Sequence, residues 1–190
     1  MADIVLTGDT SGAITIAAPD VSGTNTLTLP ASTGTLLTTT GDGSGLTGLV
    51  RSQMPTGSVL QVVSSTTTAY NNTTGSTYID SGITTSITPN FATSEILVFV
   101  NINGTRKTNN TALRLQLVRV STVLSIYETI AGYTNTTTTN SVGSSAISYL
   151  DSPSTTSSTV YKVQFSSSSG ATVELNAGAA SSITLMEIAA

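Results

Sequence analysis

The sequence predicts an all-β protein: a jelly-roll-like β-sandwich preceded by an extended N-terminal arm. Three observations predict it. Only 8% of the 190 residues are charged while 38% are hydrophobic, and Thr, Ser, Gly and Asn suit half-exposed strands and the turns between them. Apolar residues alternate with polar ones in short runs, the period-two signature of a strand. Turn signals separate these runs at the intervals of a sandwich, and no segment shows a helical period.

The run Glu95–Ile102, Glu-Ile-Leu-Val-Phe-Val-Asn-Ile, is the most concentrated apolar stretch. Ile96, Val98, Val100 and Ile102 share one parity; Leu97 and Phe99 share the other. A strand sends alternate side chains to opposite faces, so this one asks for cover on both. Such a strand belongs at the centre of a sandwich or where a sheet meets a second subunit. These six residues are the candidate core or trimer strand.

Residues 1–56 read as a separate arm or short shaft. Ile14 and Ile16, Leu27 and Leu29, and Leu36 mark short apolar alternations within "SGAITIAAPD", "SGTNTLTLPAS" and "TGTLLTTTGDG", which look like degenerate copies of one unit. Each copy is too small to bury a core of its own. The segment is therefore expected to add strands to a neighbouring surface or to wrap with other copies as a shaft; a flexible linker is the plain alternative. Met1–Leu6 lacks the basic and long apolar regions of a secretory signal. Glycines at 43, 45 and 48 and Pro55 break any regular element, which puts the boundary near Thr56.

From Gly57 onward the sequence predicts a knob of eight or nine strands. Val59–Val63 comes first, followed by a polar loop at Ser64–Ser76. Tyr78–Thr88 follows and ends at the turn signal Pro89-Asn90. After the central run, Asn103-Gly104 reads as a hairpin pair leading into a polar loop, Thr105–Asn110. Ala112–Val120 and Val123–Ile130 form a hairpin around Ser121-Thr122. Val142–Leu150 is next, then Val160–Phe165 with Tyr161, Val163 and Phe165 inward and Lys162 and Gln164 outward. The short strand Ala171–Leu175 precedes a last one at Ser181–Ile188.

The composition excludes much chemistry. The chain has no His and no Cys, which removes the usual general base, thiolate metal sites and disulfides. Among the ten acidic residues no pair sits in a glycosidase-like pattern. Asp9-Thr10-Ser11-Gly12 and Asp42-Gly43-Ser44-Gly45 each offer one carboxylate, and calcium needs about six to eight oxygens. No enzyme activity, metal or cofactor is expected. A net charge of −4 with six basic residues argues against nucleic acid as a partner. No apolar run approaches the roughly 20 residues that cross a bilayer, so no membrane is expected either.

Outer-loop contacts are the remaining candidates. Tyr70 and Tyr133 lie in predicted loops, where an aromatic ring could meet a sugar; Tyr78, Tyr127 and Tyr149 read as packing residues. Arg106-Lys107 is the adjacent basic pair of the polar loop. Arg114, Arg119, Glu95, Glu128 and Glu187 read either as sheet-surface charges or as ion pairs between subunits.

The stretches "GSVLQVVSS", "SITPNFATSEILVFVNI", "LRLQLVRVSTVLSIYE", "ISYLDSPSTTSSTVYKVQF" and "SSITLMEIAA" resemble the C-terminal domain found in tail fibres and other virion structural proteins of tailed bacteriophages. The N-terminal "SGAITIAAPDVSGTNTLTLPASTGTLLTTTGDGSGLTGL" is similar to the segment that precedes it there. The resemblance implies a trimeric β-sandwich with the N-terminal segments as shaft or anchor. Such a domain either ends a tail fibre or sits on the head; the short chain and the reach of its arm favour a capsid decoration (cement) protein on the outer surface of the head, bound to the major capsid protein. The alternative is a short tail fibre touching a host surface glycan. An arm of about 55 residues could reach over roughly 100 Å when fully extended, enough to cross shell subunits; a long fibre shaft is not evident in the chain.

Overall fold

A computed structural model describes residues 4–7, 13–16 and 50–190. The chain divides into two compact units, Met1–Thr47 and Gly48–Ala190. In the first, β1 (Ile4–Thr7) pairs antiparallel with β2 (Ala13–Ile16), and Leu6 stands opposite Ile14. Ile14 and Ile16 thus lie in a strand; Leu27, Leu29 and Leu36 lie outside the described residues.

The second unit begins with a single 3-10 turn at Arg51–Gln53 and continues as ten strands. These are β3 (Val59–Thr67), β4 (Asn71–Thr73), β5 (Ile79–Ile87), β6 (Glu95–Lys107), β7 (Leu113–Arg119), β8 (Thr122–Ala131), β9 (Asn140–Asp151), β10 (Thr159–Ser167), β11 (Val173–Leu175) and β12 (Ser181–Ile188). No α-helix occurs among the described residues. One sheet has the order β5-β10-β7-β8; the other has β3-β12-β6-β11-β4, with β9 on the opposite edge of β6. All pairs are antiparallel, and the two sheets pack as a sandwich. The predicted loop at Ser64–Ser76 is shorter than expected, because β3 runs on to Thr67 and β4 lies within it.

The alternation assigns the core. Ile96, Val98, Val100 and Ile102 are buried against Leu113, Leu115 and Leu117 of β7, Tyr161, Val163 and Phe165 of β10, and Ile183 and Leu185 of β12. Burying an aliphatic or aromatic side chain of this size contributes about 1.5–3 kcal/mol. Tyr127 and Tyr149 pack against this core as half-buried residues.

The sequence and the structure part at Asn103-Gly104. This pair is no hairpin turn: β6 continues through it to Lys107, with register shifts against β9 between Ile102 and Arg106. Gly104 takes φ +58, and Asn176 and Ala177 donate their amides to the Asn103 and Gly104 carbonyls at 3.0 Å. The bulge adds residues to one strand, so the parity facing the core changes across it. Before it the even-numbered residues Ile96–Ile102 are buried; after it Thr105 and Lys107 are.

Two polar clasps tie the elements together. Asp151, at the end of β9, accepts hydrogen bonds from Arg119 Nη1 at 2.8 Å and from the Tyr161 hydroxyl at 2.6 Å, joining one sheet to the other. Arg119 is thereby used inside the chain rather than between subunits. Burial first, and the Asp151 carboxylate second, push the Tyr161 hydroxyl well above the ordinary tyrosine range. Glu187 of β12 is fully buried, not a surface charge. Its Oε1 accepts the Asn90 amide at 2.6 Å, and its Oε2 accepts Gln61 Nε2 at 2.6 Å and Asn90 Nδ2 at 2.5 Å. This carboxylate latches the Pro89-Asn90-Phe91 turn to the last strand.

The registers define two ends of the sandwich. At the entry end the preceding chain joins: Gly57 donates to the Ala189 carbonyl at 2.7 Å, near the start of β3 and the end of β12. The other end holds the C-terminus of β6, the start of β7 and the loops between β8 and β9 and between β10 and β11.

Candidate interaction surfaces

The outer face of the larger sheet follows from the second parity of the central strand. Leu97 is half-buried and Phe99 is 41% exposed. The expectation of cover on both faces of Glu95–Ile102 is therefore met on one face only within a single chain; the second stays open. Cross-strand register sets Leu97 between Met186 and Leu150, with Val62 beyond Met186. The result is an apolar row, Val62–Met186–Leu97–Leu150, across four strands. Val62 is 54% and Leu150 51% exposed. The next row reads Ser64–Thr184–Phe99–Ser148, and the one after it Thr66–Ser182–Asn101–Ala146. None of these twelve residues carries a charge. A hollow of about 490 Å³ opens beside Phe99, lined by small side chains including Ala146, Ser148, Ser182 and Thr184.

The outer face of the smaller sheet is built differently. Lys162 donates to Asp80 Oδ2 at 2.9 Å, Gln164 to Asp80 Oδ1 at 2.7 Å, and Gln116 to Gln164 Oε1 at 2.7 Å. The Gln164 amide and the Lys162 ammonium hold the Asp80 carboxyl below its ordinary range. This polar ladder shares the face with exposed Val123, Ile126 and Val160.

The four outer-loop candidates all lie toward the end away from chain entry, yet they do different things. Tyr70 is 53% exposed and precedes β4. Pairing of β4, β11 and β6 sets Asn72, Glu174 and Arg106 in one row beside it. Partial desolvation, and next the Glu174 carboxylate, push the Tyr70 hydroxyl above its ordinary range. Tyr70 and Arg106 thus share one patch, with Glu174 and Asn72 added by register. The sequence offered no sign of that grouping, because β4 and β11 are three-residue strands paired across some hundred residues of chain. Arg106 sits in a strand, not a loop, and is exposed.

Lys107 corrects the expectation of an outer contact: it is fully buried. Its Nζ donates to the Asn109 carbonyl at 2.7 Å and to the Thr134 hydroxyl. The parity change at the bulge turns it inward. There it ties the loop after β6 to the loop after β8, which presents Tyr133, 54% exposed. Gly132, at φ +66, lies so close to Val142 that an added Cβ would stand 2.3 Å from Cγ2, so the turn before Tyr133 requires glycine.

Among the described residues no group of three or more His, Cys, Asp or Glu comes together, and no helix is long and apolar enough to cross a membrane. The chain matches no known protein family and no curated protein.

Proposed function

We propose that this protein is a structural component of a bacteriophage virion, a decoration or cement protein that binds the outer surface of the head shell and stabilises it. Residues 1–56 anchor it to the major capsid protein, and the sandwich acts as a homotrimeric knob. One observation carries this reading beyond the resemblance of the sequence. The chain enters the sandwich at one end, and Tyr70, Arg106, Tyr133 and the Thr- and Asn-rich loops gather toward the other. A body held by one end displays the opposite one. Repeated weak contacts at many lattice sites then sum to shell stability.

The deciding experiment is the copy number per particle, measured by quantitative mass spectrometry of purified virions against the major shell protein. Copies comparable to the shell protein support decoration, since only the lattice offers so many sites. A number matching the symmetry of a tail overturns it in favour of a second reading, a short tail fibre that contacts a host surface glycan. The Tyr70 patch favours that second reading: an exposed aromatic face beside an amide, a carboxylate and a guanidinium provides the groups that stack on and hydrogen-bond to sugars.

A further inference from the structure

We infer that the outer face of the larger sheet, centred on Phe99 and the row Val62–Met186–Leu97–Leu150, is the surface by which one copy of this chain packs on another. The inference takes its occupant, a second copy, from the structural role proposed above; the face itself comes from the register and the exposures.

Three features select a second copy. The face carries no charge across its three rows, so identical copies meet there without like-charge repulsion. Interface centres are depleted of charge and enriched in Phe, Met and other anchors, which matches these rows. The face is also complementary to itself. The phenyl ring of Phe99 stands beside a hollow of about 490 Å³ walled by Ala146, Ser148, Ser182 and Thr184, a knob next to a hole on one surface. In an assembly of identical copies the ring of one enters the hollow of its neighbour. The outer face of the opposite sheet also exposes Val123, Ile126 and Val160, but the charges of Asp80 and Lys162, bonded with Gln164 and Gln116, stand among them.

The size of the face sets the strength. Four strands about 4.8 Å apart and five residues long at about 3.4 Å give a footprint on the order of 300 Å² per copy. A stable interface buries roughly 800 Å² per partner. This face alone is therefore a weak contact, which becomes firm when the copies are tethered or closed into a ring.

The test is sedimentation equilibrium of the full chain between about 1 and 300 µM. Association that rises with concentration is expected. Phe99→Asp, and independently Leu150→Lys, should shift its midpoint at least tenfold upward, while Val123→Asp on the other sheet should leave it in place. Unchanged near-ultraviolet dichroism shows that each variant folds. A protein that stays monomeric throughout overturns the inference, as does an oligomer broken by Val123→Asp but not by Phe99→Asp. Copy number on particles, which decides the virion reading, is a separate measurement: either result can fail without the other.

Discussion

Replacing Glu187 by Gln tests whether a buried carboxylate holds the closing strand of the sandwich. The wild-type group is fully buried and accepts three hydrogen bonds of 2.5–2.6 Å, with the Phe91 amide at 3.4 Å as a weaker fourth. Hydrogen bonds to a charged group contribute about 1.5–3 kcal/mol each. Glutamine is isosteric but turns one acceptor into a donor. Where Gln61 Nε2 and Asn90 Nδ2 now converge on Oε2, it brings a third N–H. Gln61 cannot simply turn over, since the same amide also donates to the Thr88 carbonyl at 2.7 Å. Two strong bonds are lost, and removal of a buried charge returns part of that loss, leaving a destabilisation of about 2–4 kcal/mol. Urea unfolding should show a lower midpoint at unchanged slope. A change below about 0.5 kcal/mol would refute the latch. The pH dependence has a definite sign. Burial alone would raise the Glu187 carboxyl; the donors from Gln61 and Asn90 outweigh it, and the carboxyl lies below its ordinary range. A depressed carboxyl contributes stability that is present above the unfolded-state value, near 4.5, and lost as the pH falls through the folded value. Wild type should therefore lose stability on acidification below about pH 4.5 more steeply than Glu187→Gln.

Other changes test other joints. Asp151→Ala leaves the Tyr161 hydroxyl buried without its acceptor and Arg119 without its anion, which should cost about 2–4 kcal/mol, tempered because Arg119 is a quarter exposed; chemical denaturation measures it. Gly104→Ala sets a Cβ 2.7 Å from the Ala177 amide nitrogen at φ +58, so it should cost about 2–4 kcal/mol in the same assay. Gly170→Ala, at φ +84 with open space around it, is the control and should lose only the backbone part, about 1–2 kcal/mol. Val120 is 59% exposed and holds φ +55 at the tip of the β7–β8 hairpin, a conformation β-branched residues avoid. Val120→Gly should therefore raise the thermal midpoint, by the equivalent of about 0.5–1 kcal/mol; a lower midpoint would show that the valine packs usefully in the folded chain.

Local sequence alone was enough for the class of this protein and for some of its inward faces. Alternation is local, so Leu113–Leu117 and Tyr161–Phe165 could be assigned to a core from their spacing alone, and the structure buries Leu113, Leu115, Leu117, Tyr161, Val163 and Phe165. Turn residues are also local, which is why Pro89-Asn90 and Ser121 fell between strands. Which parity of the central strand is covered was set by long-range packing, since that depends on the second sheet and not on the strand. It also turned Asn103-Gly104 from a predicted hairpin into a bulge, because the partner that satisfies those carbonyls, Asn176-Ala177, lies over seventy residues away. One bulge exchanges the faces, and so Lys107 is a buried tie between loops while Arg106 looks outward. Glu187 is equally instructive: a carboxylate in a closing strand reads as a surface charge until Gln61 and Asn90 are brought to it. A period-two pattern specifies which side chains share a face. What each face meets is settled by long-range pairing and by the requirement that every buried polar group find a partner.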